Sequence, residues 1–232
     1  DAGGPLVALL ATFIHFYKRA DLPFNLVFAA SAEEEISGLN GMQIVMPEVA
    51  PVDFAIIGEP TKMELAIAEK GLLVLDCFAY GKSGHAARNE GENALYKAMD
   101  DIQKLRDFKF EKSSDILGEV KISVTIIEAG SQHNVVPDVC HFVVDVRTNE
   151  HSLNKESAEI IANLIVSEVK PRSLRLNSSG ISEDHPFAKL VKSKVIYIYG
   201  SPTTSDQAII SCPSLKIGPL DSAPSHTAAA FI

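Results

Sequence analysis

Between residues 70 and 177, the hydrophobic patterns follow an order of elements that few folds can accommodate. They predict strand, helix, strand, strand, helix and strand in succession. The predicted strands are GLLVLDCFAYG (71–81), VKISVTIIEAG (120–130), DVCHFVVDVRTN (138–149) and RSLRLNS (172–178), and the predicted helices are GENALYKAMDDIQKLR (91–106) and NKESAEIIANLIVSEV (154–169). This β-α-β-β-α-β order is that of a ferredoxin-like α+β unit.

The flanking segments have a different character, in which helices alternate with strands. A helix is expected over about Pro5–Arg19, a strand over Phe24–Ala30, a short helix near Gly38–Met46 and a strand within DFAIIGEPT (53–61). Helix–strand patterns resume after Ser178. We therefore expect an α/β outer domain built from residues 1–69 and 178–232, with the ferredoxin-like unit (residues 70–177) inserted into it.

Composition excludes several classes of partner. The chain has 232 residues, 46% of them apolar, and a formal net charge of −9. No Lys/Arg cluster offsets this acidity, so no nucleic-acid partner is expected. No apolar run approaches the roughly 20 residues of a membrane span. The three cysteines form no CxxC pair, which predicts free thiols in a reducing, cytoplasmic setting.

The segment SAEEEISG (31–38) places Glu33, Glu34 and Glu35 directly after a predicted strand. One interpretation is a solvated helix start, with Ser31 as the N-cap and Glu34 completing a capping box. The other is a catalytic site, because the ends of strands in open α/β sheets collect catalytic groups. The local sequence leaves both open.

Other acids and a histidine also lie at predicted strand ends or loops: Asp1, Glu59 and His226. Carboxylate and imidazole ligands without thiolates suit a catalytic zinc or cobalt site. Taken singly, each has an ordinary alternative, as a helix cap, a turn residue or a loop histidine.

Taken together, the motifs point to one family. In chain order they are DAGG, SAEEEISG, IIGEPT, GKSGHAARNEGENA, HNVVPD, VDVRT and SPTTSD…KIGP…SHTA. The chain resembles the di-zinc amidohydrolases and metallopeptidases that include acetylornithine deacetylase, succinyl-diaminopimelate desuccinylase and the aminoacylases. The resemblance implies a zinc-aminopeptidase-like catalytic domain, an inserted lid and dimerisation domain, and two Zn²⁺ ions per active site, with Co²⁺ as an alternative.

The resemblance also assigns roles to the outer residues. Glu34 would be the general base and Glu35 a ligand of one zinc. Asp1 would bridge the two metals, Glu59 would complete one site and His226 the other.

In the inserted domain, the resemblance implies that His85 reaches the active site of the partner subunit in a homodimer and stabilises the oxyanion. Asn134 and Arg147 would hold the carboxylate of a small-molecule substrate. A surface-loop His85 and a structural Arg147 are the alternatives.

Two departures from the family pattern raise expectations of their own. Members carry an upstream His-x-Asp segment, which does not precede Asp1. We therefore expect that an N-terminal part is missing and that the chain as given is an incomplete enzyme. Ala229 and Ala230 also stand where acidic residues are usual, which would weaken support for His226.

The wording of IIGEPT and SPTTSDQA favours the acetylornithine and acetylcitrulline deacetylase branch. The expected reaction is hydrolysis of the amide bond of an N-acyl amino acid in arginine biosynthesis. The alternatives are a dipeptide metallopeptidase and a non-catalytic dimerisation or binding module.

Overall fold

The computed structural model describes residues 2–193 and 197–222. The chain divides into two compact units, which are described separately. The outer unit comprises Asp1–Glu69 and Ser179–Ile232, and the inner unit comprises Lys70–Ser178. None of the described helices is long and apolar enough to cross a membrane.

The elements follow one another along the chain with short connections. In order they are α1 (Gly3–Phe16), α2 (Met42–Val49), β1 (Ala55–Gly58), β2 (Leu65–Glu69), β3 (Gly71–Tyr80), β4 (Gly84–His85), α3 (Ala94–Asp107), β5 (Lys121–Ala129), β6 (Val135–Val136), β7 (Val139–Thr148), α4 (Asn154–Leu164), β8 (Glu168–Pro171), β9 (Ser179–Gly180), α5 (Pro186–Lys192), β10 (Ile198–Ser201) and β11 (Ser214–Ile217).

The inner unit is a four-stranded antiparallel sheet in the order β5-β7-β3-β8, the strand order of a ferredoxin-like fold. Alternate residues of β3 are buried, as expected for a sheet with one covered face. Its core side chains pack with those of α3 and α4, among them Leu75, Phe142 and Ile161. The predicted mixed α/β fold class is confirmed.

The last strand of the inner unit differs from the sequence prediction. The helix expected over residues 154–169 ends at Leu164, and the final strand is β8 rather than residues 172–178. The Asp101 carboxylate accepts hydrogen bonds from the N–H groups of Val166 (3.1 Å) and Ser167 (2.8 Å). Because these contacts draw the backbone away from the helix, α4 stops earlier than its apolar pattern suggests.

The outer unit is a mixed sheet in the order β1-β11-β2-β10, with β9 paired to β2. β1 runs parallel to β11, and the register pairs Gly58 with Ile217. β2 lies at the centre, where Leu65, Ala66 and Ile67 are buried. The parallel pairing places the segment after β1, which contains Glu59, beside the end of β11.

Residues 24–30 do not form the predicted strand. Within the described part of the chain, this apolar segment joins no ladder, and its Phe24 and Val27 side chains are 60% and 58% exposed. A strand needs a neighbouring backbone as well as a suitable composition, and among the described strands β1 pairs only with β11.

Candidate active site

The three consecutive glutamates have different surroundings. Glu33 adopts a left-handed conformation (φ 60°) immediately before a single 3₁₀ turn, Glu34–Ile36. Its carboxylate accepts hydrogen bonds from the backbone N–H and the side-chain amide of Asn40, each 3.0 Å long. These bonds lower the pKa of Glu33. Glu33 therefore closes the loop, whereas Glu34 and Glu35 occupy the turn itself.

The capping-box alternative for this segment is not what the structure contains. Ser31 does not cap the turn, whose N-cap makes no side-chain hydrogen bond. Instead the Ser31 hydroxyl donates to Oδ2 of Asp206 at 2.5 Å. We call residues 31–41 the acidic turn.

Glu34 and Glu59 lie in one electrostatic neighbourhood at the strand ends of the outer unit. Burial, followed by repulsion from Glu35 and Asp206, raises the pKa of Glu34 to about 7. Burial, followed by repulsion from Glu34, raises the pKa of Glu59 to about 7. Such values are common where a fold crowds acids for a functional reason, although structural networks can produce them too. The fold thus brings the predicted base and two predicted metal ligands, Glu35 and Glu59, into one cluster.

A buried ion pair beside this cluster was not anticipated from the sequence. Lys216 Nζ lies 2.9 Å from Glu69 Oε2, and the two residues are 2% and 0% exposed. The positive charge of Lys216 opposes the upward pKa shifts of Glu34 and Glu59. Its one signal in the sequence is a lysine within the apolar run SLKIG.

In the inner unit, the structure brings His85 and Asn134 together. The two-residue strands β4 and β6 pair, and the Ala86 N–H donates to the Asn134 carbonyl at 2.9 Å. Nδ1 of His85 accepts from the Ala87 N–H at 3.1 Å. A neutral His85 ring in this arrangement carries its proton on Nε2 and can donate from that atom.

Asn134 has a polar atom that the inner unit leaves unused. Its side-chain oxygen is buried and finds no hydrogen-bond partner among the described residues. Buried polar atoms are normally satisfied, so this oxygen is available to a ligand or to water.

Arg147 lies on the face of the sheet opposite the buried Phe142, Val144 and Val146, as the alternation predicts. Its Nε and Nη2 donate to the Asp145 carboxylate at 2.8 and 3.0 Å. A substrate carboxylate at Arg147 would therefore compete with Asp145.

Asp1 and His226, the other two predicted metal ligands, lie outside the described residues, as do Ala229 and Ala230. Within residues 2–193 and 197–222, no three His, Cys, Asp or Glu side chains are grouped so that they could hold a metal ion. The donor chemistry nevertheless fits a divalent cation, because crowded carboxylates with raised pKa values gain from a neighbouring positive charge.

Comparison with known proteins is informative at the level of the family. Residues 67–174 match the family described as peptidase dimerisation domain. The chain is 29% identical over 146 residues to acetylornithine deacetylase of Myxococcus xanthus, covering 60% of this chain and 38% of that protein. It is 26% identical over 172 residues to succinyl-diaminopimelate desuccinylase of Corynebacterium glutamicum (71% and 47% covered). It is also 28% identical over 159 residues to a probable carboxypeptidase of Talaromyces marneffei (63% and 35% covered). The chain thus spans less than half the length of these relatives.

Solved structures support the same fold. Aminopeptidase PepT from Bacillus cereus superposes with a TM-score of 0.71 at 17% identity, covering 92% of this chain and 61% of that chain. A tripeptidase from Staphylococcus aureus gives a TM-score of 0.63 at 20% identity, with 81% and 54% covered. Together with the matched domain at residues 67–174, these likenesses show that the chain belongs to the M20 peptidase family.

Proposed function

We propose that this protein is a metal-dependent hydrolase that cleaves the amide bond of an N-acyl amino acid. The observation that carries the proposal is the pair Glu34 and Glu59, whose pKa values the fold raises to about 7. A carboxylate with a pKa near neutrality can both accept and return a proton under physiological conditions.

The proposed cofactor is a pair of Zn²⁺ ions, with Co²⁺ as an alternative. Glu35, Glu59, Asp1 and His226 would hold them, with Asp1 between the two. When bound, zinc supplies an acidified water and polarises the amide carbonyl. A relative from Methanocaldococcus jannaschii, 25% identical over 166 residues, is named a metallohydrolase, which supports a divalent metal here.

In this proposal Glu34 moves the proton. It takes a proton from the attacking water and delivers it to the departing amine. Its half-buried position supports this role, because desolvation keeps the carboxylate basic enough to accept the proton.

The inner unit contributes groups that bind the substrate and the oxyanion. His85 from a second copy of the chain donates its Nε2–H to the oxyanion, an interaction of a kind that can contribute about 3 kcal/mol. Asn134 and Arg147 hold the substrate carboxylate. The match to a dimerisation domain supports a homodimer, and the tautomer favoured at His85 supports its role as a donor.

For the substrate we propose N-acetylornithine or N-acetylcitrulline, which would place the reaction in arginine biosynthesis in the cytoplasm. The likeness to an acetylornithine deacetylase supports this choice. The likeness to a probable carboxypeptidase favours a second candidate, hydrolysis of dipeptides.

A substrate panel separates the two candidates. Protein expressed from the complete gene and loaded with zinc is incubated with N-acetylornithine, N-acetylcitrulline, N-succinyl-diaminopimelate and several dipeptides, and released amine is measured. We expect release from the acetyl substrates at a kcat/KM at least about tenfold above that for any dipeptide, a difference of about 1.4 kcal/mol in transition-state binding. Release from dipeptides alone would establish the second candidate instead.

A further inference from the structure

The ion pair of Lys216 and Glu69 lies at the centre of a fully connected polar network in the outer unit. The Lys216 ammonium donates to Glu69 Oε2 (2.9 Å), Ser201 Oγ (3.0 Å) and the Thr203 carbonyl (3.1 Å). All three of its N–H bonds are thereby used. A buried charge this well satisfied fixes the geometry of its partners, because leaving any of them unpaired is costly.

Glu69 carries this fixed geometry to two serines. Its Oε2 also accepts from the Ser205 hydroxyl at 2.8 Å, and its Oε1 accepts from the Ser179 hydroxyl at 3.1 Å. Ser205 and Ser179 therefore have similar bonds to the same carboxylate but lie in different parts of the unit. Ser179 belongs to β9, whereas Ser205 caps the short 3₁₀ helix Asp206–Ile209.

The Ser205 branch leads to the acidic turn. The Ser205 hydroxyl accepts from the Gln207 N–H at 3.2 Å, which orients Asp206 between them. Asp206 is 9% exposed, and its carboxylate accepts from Ser31, at the head of the segment that carries Glu34 and Glu35. Few backbone bonds hold that segment, since residues 24–30 before it form no ladder among the described residues.

We propose that Lys216 and Glu69 are positioning residues, which hold the acidic turn in place through Ser205 and Asp206. Neither residue contacts the reacting atoms in the proposed reaction. Their role is to keep Glu34 within reach of the water that it deprotonates, a step in which small displacements have large effects on rate. The consequence for catalysis rests on the proposed function, whereas the tether itself does not.

The experiment cuts the network at Ser205, because Lys216→Met would leave Glu69 buried and unpaired and could prevent folding. Ser205→Ala removes the link to the turn, and Ser179→Ala is the matched control, since it removes one serine hydroxyl from the same carboxylate. Hydrogen–deuterium exchange of residues 31–41 reports the tether. We expect exchange there to become about tenfold faster in Ser205→Ala and to change less than about twofold in Ser179→Ala.

Kinetics of the same variants report the positioning. We expect Ser205→Ala to lower kcat about tenfold with KM within about twofold, because substrate binding does not use the turn. Ser205→Thr, which keeps a hydroxyl, should restore both exchange and kcat. The double variant Lys216→Met/Glu69→Met removes both charges together and should loosen the turn as Ser205→Ala does.

Equal exchange in Ser205→Ala and Ser179→Ala would overturn the proposal, as would a loosened turn with unchanged kcat. If the parent protein hydrolyses none of the N-acyl substrates or dipeptides, the proposed function fails, and the exchange comparison alone then decides whether the tether exists.

Discussion

Asn40 binds the carboxylate of Glu33 through both its backbone N–H and its side-chain amide, at 3.0 Å each. This double contact sets Glu33 apart from its neighbours in the sequence. It leaves Glu34 as the glutamate of the three whose pKa is raised to about 7 by burial and by the carboxylates around it. Three chemically identical residues in a row thus have separable roles.

The first prediction tests this separation. Glu34→Gln should lower kcat about a hundred- to ten-thousand-fold while leaving the zinc content unchanged, because the amide keeps the shape of the side chain but cannot accept a proton. Glu33→Gln is the control and should keep most of the turnover, since a glutamine oxygen can still accept from Asn40. Metal analysis beside steady-state kinetics is the measurement. Loss of zinc from Glu34→Gln with substantial activity remaining would mean that Glu34 is a ligand and not the base.

The second prediction concerns the metal-free protein and pH. The pKa values of Glu34 and Glu59 are about 7 in the fold against an ordinary 4.5, so the folded chain retains protons that the unfolded chain releases. Its stability should therefore be greatest below about pH 4.5 as far as these two groups are concerned, and should fall as pH rises towards about 7.

Thermal unfolding from about pH 5 to about pH 8 measures this effect, and we expect Tm to fall by about 3–6 °C. Glu34→Gln should flatten the dependence, and zinc should reverse it at the upper end of the range. A Tm that rises across this interval in the metal-free parent would contradict the crowding of the two carboxylates.

The third prediction concerns the inner unit, where Asp101 terminates α4. Although burial alone would raise its pKa, hydrogen bonds from Lys104, Ser167 and Val166 outweigh that effect and hold the pKa of Asp101 below its usual value. Asp101→Ala should lower the free energy of unfolding by about 2–3 kcal/mol, because buried donors lose their acceptor. Asp100→Ala, at an exposed position on the same helix, should change it by less than about 0.5 kcal/mol. Urea denaturation followed by circular dichroism compares the two, and equal effects would remove the special role of Asp101.

The fourth prediction tests whether His85 acts across a dimer. His85→Ala and Glu34→Gln should each be nearly inactive alone. If subunits exchange freely, a mixture of the two should recover about a quarter of the parent activity, because half of the dimers are mixed and one site in each is complete. No recovery despite demonstrated subunit exchange would place His85 at the site of its own chain or outside catalysis.

Much of the inner unit could be predicted from the sequence because its signals are local. β3 and β7 alternate buried and exposed residues over ten positions, and this period leaves little choice of structure. The end of α4 could not be predicted in this way, since it depends on Asp101, which lies 66 positions before Ser167.

The site of the outer unit depends still more on distant contacts. Glu34 and Glu59 could be singled out from their motifs, but the carboxylate crowding that raises their pKa values arises only in the folded sheet. Lys216 and Glu69 are 147 positions apart, and Ser31 and Asp206 are 175 apart. A lysine and a glutamate in two apolar strands carry no sign that they will pair, so the network emerged only from the structure.

The most direct test of the metal-dependent hydrolase is the release of ornithine from N-acetylornithine by metal-depleted protein, expressed from the complete gene, as zinc is added back. The account predicts negligible release without metal, a rate that rises with zinc until the sites are filled, and no such rise in Glu34→Gln. A rate that is independent of zinc, or a Glu34→Gln variant that responds to zinc as the parent does, would contradict it.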